Sequence, residues 1–368
     1  MKVVLLSLNW VEYLIEMANA LAARGHHVDI IVKSDRVRET VGDQLPALLS
    51  PAVTAHLIDD RPRGLRDPRQ LATILRLIRL LRRLRPDVLN LHEATQTYLP
   101  LCLRLATRAP LVLTVHDVTT HPGEDSQEPP RRARVREQLR RRASSVILHG
   151  EWLRQRYLRV TGLDAGKVFS IPHGCYTVFR YGIDDDVAEV GRSVLFFGRI
   201  NRYKGLGDLL RACEAVAPRV EGFRLVIAGR GGDLEHHRRA IADSGYCELH
   251  EGYLSNLEVA RLFQQASLVV LPYIEGSQSG VVRIAYVFGK PVVVTDVGSI
   301  PEAVQDGVTG RVVPPGDTEA LAQAMIEILG DDARRREMAR AAAEMPRGEL
   351  SWASIAERTE RVFQRVVG

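Results

Sequence analysis

The chain has 368 residues, 45% of them hydrophobic and 26% charged, ordinary globular proportions with room for two domains, which exclude disorder as the main state. No stretch approaches the roughly 20 apolar residues of a spanning helix. Residues 1–12 lack the basic region and small-residue cleavage site of a secretory leader, so the expected location is cytoplasmic. The net charge of +5 hides a split: residues 1–180 hold 28 Lys and Arg against 18 Asp and Glu, and the rest 22 against 27, as two domains with different partners would.

Residues 3–8 form an apolar run of strand length, 12–23 repeat apolar positions at helical spacing up to Arg24-Gly25, and 26–32 return to a strand. This is the unit of a parallel sheet covered by helices. It continues as a helix at 69–84, a strand at 87–92, a helix near 96–107, a strand at 111–116, a helix at 131–142 and short strands at 145–149 and 168–172. A second series follows residue 190, with strands at 193–198, 224–229, 247–250, 267–272 and 291–295 and helices at 205–217, 233–243, 256–265, 280–288 and 318–329. Between them, residues 172–192 carry Pro, Gly and an Asp run with little periodicity. The expected fold is α/β with two Rossmann-like domains, 1–180 and 181–350, followed by an amphipathic helix at 351–368 beyond the Pro346-Arg347-Gly348 break. Open parallel sheets bind ligands at the carboxyl ends of their strands, so the expected site is an interdomain cleft onto which those ends face. Cys102, Cys175, Cys213 and Cys247 form no C-x-x-C pair, which argues for reduced thiols and against a Cys-based zinc site.

Two segments have the makings of an anion site. Residues 196–205 put Gly198, Arg199 and Lys204 between a strand and a helix start, where backbone donors, a positive dipole end and two cations suit a diphosphate. The spacing is not that of a P-loop. At 277–302, Ser279, Gly280 and Val281 enter a helix with unpaired N–H groups, and Ser277 and Gln278 add short polar side chains at the same mouth. On the first series, His116 ends a strand, with His92 and Glu93 at the end of its neighbour. A strand-end histidine can hydrogen-bond a substrate without being a strong base.

In order and spacing, GRINRYKG, AGRGG at 228–232, residues 250–273 and residues 289–317 resemble the nucleotide-sugar-binding half of family 4 glycosyltransferases of the GT-B fold. ALAARGHHVDIIV, PDVLNLHE, LVLTVHD and VFSIPHG fit the N-terminal half more loosely. The resemblance implies a retaining transfer from a nucleotide diphosphate sugar, with no cofactor and no obligatory metal. It makes Arg199 and Lys204 the diphosphate pair, adds Tyr253 to the donor side, and places His116 near the transferred sugar and the acceptor. His92 and Glu93 then face acceptor hydroxyls, and His173-Gly174 reads as hinge or loop structure.

The chain departs from the family in two places. Aligned on Gly280 and the G-x-P at 289–291, the two glutamates usual in the family become Ser277 and Ile284, in a variant that reads S-Q-S-G, with Glu275 two residues upstream as a further donor candidate. The glycine pair usual after the first strand becomes Asn9 and Trp10, an amide and a stacking face for the acceptor. The leading expectation is a glycosyltransferase acting on a glycan, lipid-linked or small-molecule acceptor, and the alternative is a non-catalytic GT-B protein that binds a nucleotide sugar. No aromatic-interleaved basic motif supports a nucleic-acid partner. Arginines at 76, 79, 82, 83 and 85, with a second cluster at 131–142, suggest peripheral contact between the N-terminal domain and an anionic membrane.

Overall fold

The computed structural model describes residues 1–59, 67–118, 129–184 and 187–368, so positions 185–186 of the expected junction lie outside the described residues. The chain divides into two compact units, one holding the described parts of Met1–Val118, residues 129–172 and Trp352–Gly368, the other His173–Ser351.

The first unit runs β1 (Lys2–Ser7), α1 (Val11–Ala23), β2 (His27–Lys33), α2 (Ser34–Thr40), α3 (Leu45–Leu48), β3 (Val53–Ile58), α4 (Pro68–Leu84), β4 (Val88–His92), α5 (Leu99–Ala106), β5 (Leu111–Val115), α6 (Pro130–Arg142), β6 (Ser145–Leu148), α7 (Glu151–Thr161) and β7 (Val168–Ser170). Its seven strands pair in parallel in the order β3-β2-β1-β4-β5-β6-β7. The central strands are buried throughout and predominantly apolar, as strands of a parallel sheet covered on both faces are. Helix α4 starts at Asp67, whose side chain accepts from the Arg69 amide, with Pro68 in the first turn.

The second unit runs β8 (Arg192–Arg199), α8 (Leu206–Val216), β9 (Phe223–Arg230), α9 (Leu234–Asp243), β10 (Cys247–Glu251), α10 (Asn256–Gln265), β11 (Leu268–Leu271), α11 (Gly280–Val287), β12 (Val292–Thr295), β13 (Gly310–Val313), α12 (Thr318–Gly330) and α13 (Asp332–Glu344). Its parallel sheet has the order β10-β9-β8-β11-β12-β13. In each sheet the chain winds outward on one side and then the other, so the order reverses between β1 and β4 and between β8 and β11. Such reversals open a crevice at the carboxyl ends of the strands.

The last helix, α14 (Trp352–Val367), belongs to the first unit. It packs on α1, burying Ile355, Ala356, Val362 and Phe363, while Glu360 receives Arg24 at 2.5 Å. The four cysteines are free and three are buried.

The sequence reading did not include α2, α3, β3, α7, β13 or α13. Strand β3 is a half-exposed edge with Thr54 and Leu57 outward, and α13 buries little beyond Met338 and Ala342, so neither shows a strong apolar pattern. In α4 the apolar positions also divide differently. Leu77, Ile78, Leu81 and Leu84 enter the core, whereas Leu71 and Leu75 lie exposed.

Candidate functional site

The carboxyl edge of the first sheet gathers rings from four neighbouring strands. After β1, the Ser7 hydroxyl accepts from the Asn9 and Trp10 amides at 3.3 and 3.0 Å, folding the turn that presents Trp10. Trp10 stacks on His116, just past β5, with ring centroids 4.0 Å apart. His92, at the end of β4, brings Nδ1 to within 2.9 Å of His116 Nε2, one nitrogen donating to the other. His149, just past β6, lies 4.9 Å from the His116 ring, and its Nδ1–H donates to the Ile171 carbonyl at 3.1 Å, which fixes its tautomer. Tyr13 meets His92 edge-on at 4.6 Å and Trp352 at 4.9 Å.

All three histidines are buried. Burial pushes His92 well below the ordinary histidine range, and the charge of His149 pushes the same way. Thus Trp10, His92 and His116 come together, while Asn9 stands exposed at the rim. Glu93 turns instead to a bidentate pair with Arg140, at 2.6 and 2.8 Å. Burial raises its carboxyl above the usual range despite that partner. His149 escaped the sequence reading, although it ends a strand as His92 does.

In the second unit, the β8 turn closes on the end of β11. Gly205 has φ +72°, and a Cβ there would fall 1.8 Å from the Pro272 carbonyl oxygen, so only glycine fits. The approach lets the Ile274 amide donate to the Tyr203 carbonyl at 2.8 Å and sets the Lys204 ammonium 3.7 Å from the centre of the Tyr273 ring. Tyr273 Oη is 3.0 Å from Ser279 Oγ, and Ser279 caps α11 by accepting from the Val281 amide at 3.3 Å.

On the far side, the Ser277 backbone carbonyl accepts from the Ser299 amide at 2.8 Å. Gly298, at φ +59°, passes so close that a Cβ would meet the Gly276 oxygen at 2.1 Å. The loop before α11 is therefore clamped from both sides, with Ser277 and Ser279 buried and Glu275 and Gln278 half-buried. Lys204, Tyr273, Ser279 and the first amides of α11 form one junction. Gly198 and the exposed Arg199 end the adjacent strand, β8. Tyr253 lies farther along the same edge, after β10, exposed beneath the Arg230 guanidinium. Tyr273, which ties Lys204 to the helix cap, is a second residue the sequence reading missed.

Deeper on α11, Arg283 is only 7% exposed, and its Nε and Nη1 have no hydrogen-bond partner among the described residues. Burial lowers its pKa, while Cys175, Tyr286, Tyr176 and Glu302 pull the other way. His173 is anchored to the Gly174 carbonyl at 2.7 Å and accepts from the Tyr176 hydroxyl at 2.9 Å. Among the described residues, no group of three His, Cys, Asp or Glu is placed to hold a metal ion, and no helix is long and apolar enough to cross a membrane.

Residues 191–331 match the family model described as Glycosyl transferases group 1, and residues 11–178 match Glycosyltransferase Family 4. The phosphatidyl-myo-inositol mannosyltransferase of Mycobacterium leprae (strain TN) is 29% identical over 288 residues, 76% of this chain and 74% of its own length. The D-inositol 3-phosphate glycosyltransferase of Kribbella flavida is 28% identical over 388 aligned positions, covering 96% of this chain and 89% of that protein. The crystal structure of Anabaena HepE in complex with UDP and glucose shares the fold, with a TM-score of 0.75 at 18% identity over 99% of this chain and 100% of the other.

Proposed function

The chain belongs to the family 4 glycosyltransferases of the GT-B fold, and on that premise we propose that it moves a sugar with retention of configuration from a nucleoside diphosphate donor to an acceptor, without an obligatory metal. The observation that carries this reading is the junction of Lys204, Tyr273 and Ser279 at the start of α11, with Arg199 on the neighbouring strand. Two cations and a helix N-terminus stabilise the negative charge that a departing diphosphate gains. In the transfer, the bond from the anomeric carbon to the diphosphate oxygen breaks, and the acceptor hydroxyl oxygen forms the new bond on the same face. The hydroxyl proton passes to the departing diphosphate, so no protein nucleophile is required.

His116, held by Trp10 and His92, is assigned to position the acceptor and the transferred sugar. Asn9 and Trp10 serve the acceptor, as does His92, while Glu93 supports that edge through Arg140. Ser277, Gln278 and Glu275 face the donor sugar, and Tyr253 the nucleoside.

We further assign an anionic membrane to the first unit. Exposed Leu71 and Leu75 of α4 and Leu101 and Leu105 of α5 lie on two helices that pack together, among exposed Arg76, Arg79, Arg83 and Arg104. Apolar side chains among cations are the composition of an interfacial surface. A relative named for mannosyl transfer onto a phosphatidylinositol is in keeping with a lipid-linked acceptor.

The deciding measurement is a thermal-shift titration with UDP, GDP and ADP. At least one should raise the melting temperature, and Lys204→Ala should weaken its binding about 10- to 100-fold, as expected for loss of a charge-assisted contact. If none of the three shifts the folded protein, the donor reading is wrong.

A further inference from the structure

We propose that Arg283 reads the sugar of the donor, its guanidinium pairing with a carboxylate, so that the preferred donor is a nucleoside diphosphate hexuronic acid rather than a neutral hexose. The inference rests on the donor reading above and goes beyond it by naming the sugar class.

A guanidinium held at 7% exposure with Nε and Nη1 unpartnered among the described residues carries a desolvation cost that the fields of Cys175, Tyr286, Tyr176 and Glu302 offset only in part. Elsewhere the chain pairs its buried cations. Arg140 is bidentate to Glu93, and Lys290 meets Glu189 at 2.9 Å. Arg283 is the exception among these, and it sits in the fourth position of α11, the helix whose first turn carries the donor junction.

Side chains of a helix lean toward its N-terminus, and residues three apart share a face. The face that Arg283 shares is that of Gly280. A Cβ on Gly280 would lie 3.1 Å from the Tyr176 ring, and Tyr176 is also among the neighbours whose field reaches Arg283. Arg283 thus shares a helix face with Gly280, one turn from the loop of Ser277, Gln278 and Ser279, and Cys175, Tyr286, Tyr176 and Glu302 are the groups whose fields reach its guanidinium.

Charge at this mouth is changed as well. Where the family resemblance sets two glutamates, this chain has Ser277 and Ile284, both neutral and both buried. A carboxylate beside a glutamate would be repelled. Glu275, two residues upstream and half-buried, is the carboxylate that remains in this loop; at Ser277 and Ile284 a sugar carboxylate meets neutral side chains, and an unpartnered guanidinium nitrogen of Arg283 offers it a charge-assisted hydrogen bond. The diphosphate has its own cations in Arg199 and Lys204, which leaves Arg283 for an oxyanion elsewhere on the donor.

The test is calorimetric binding of UDP, UDP-glucose and UDP-glucuronate, and in parallel GDP, GDP-mannose and GDP-mannuronate, to the full chain and to Arg283→Met and Arg283→Gln. The intact protein should bind the acidic sugar nucleotide more tightly than its neutral counterpart by on the order of 10- to 100-fold, and both variants should lose that preference while keeping affinity for the free diphosphate. Arg283→Met should also raise the melting temperature of the free protein, because an unpaired buried charge is removed.

Absence of an acidic preference in both series overturns the proposal while leaving the donor reading in place. Equal loss of UDP or GDP affinity in the variants assigns Arg283 to the diphosphate and overturns it too. A lower melting temperature with the preference retained gives Arg283 a packing role instead. Failure of every nucleotide to bind removes the donor reading and the proposal with it.

Discussion

A histidine buried among aromatic rings is held neutral by its surroundings, and His92 is in that position. It is packed by Tyr13, bonded to His116 and depressed well below the ordinary range by burial and by His149. In the unfolded chain the imidazole takes a proton below about pH 6.5, whereas in the folded chain it stays neutral to a much lower pH. Protons therefore favour unfolding as the pH falls through that window. The stability contributed by the neutral ring is complete above about pH 6.5 and erodes below it, by about 1.4 kcal/mol per unit of descent. Melting temperatures measured between pH 8 and 5 should fall on the acid side, and His92→Gln, which keeps a polar partner for His116, should flatten that fall. An unchanged slope in the variant would contradict the assignment. His92 and His116 were visible in the sequence because the apolar runs of β4 and β5 stop at them. Arg283 was not, since a charged residue reads as surface until the helix around it proves buried on every side, as α11 does.

At the scale of elements, the sequence reveals strands whose two faces are both covered, because they are predominantly apolar, and hides those that are half wet. Strands β4, β5 and β12 are of the first kind and β3 of the second. Helix α4 shows the limit of periodicity. Its stripe of leucines is wider than the core beneath it needs, and the surplus, Leu71 and Leu75, joins Leu101 and Leu105 of α5 on the outside. Arg82 is not spare charge in this face, for its guanidinium donates to the Leu105 carbonyl at 3.0 and 3.2 Å and fastens α4 to the end of α5. Arg76, Arg79 and Arg83 are the cations to remove. Each contributes on the order of 1 kcal/mol near an anionic surface. Their joint change to Gln should weaken sedimentation with phosphatidylserine vesicles at low salt by about 100-fold or more, with no binding to phosphatidylcholine in either protein. If the intact chain fails to sediment with the anionic vesicles, the membrane assignment falls and a soluble acceptor becomes the better reading.

For the whole molecule, the chain leaves the first unit near Pro172, builds the second, and returns at Trp352 to add α14 to the first. The first unit thus depends on residues that begin 180 positions after Pro172, while the described part of the second is one segment, His173–Ser351. A probe can separate the two, because the three tryptophans, Trp10, Trp152 and Trp352, all belong to the first unit. Phe363 is fully buried where α14 meets the first unit. Its replacement by Ala removes a large apolar side chain from a packed core, at a cost of about 3 to 5 kcal/mol. Phe363→Ala should lower the melting transition seen by tryptophan fluorescence and leave a second, later transition in far-ultraviolet circular dichroism. A nucleoside diphosphate that binds the intact chain should raise only that later transition if it binds as proposed, at Lys204 and the start of α11. Coincident transitions by both probes in the variant would show that the two units unfold as one cooperative body, and the donor's stabilisation would then extend to the histidine edge as well.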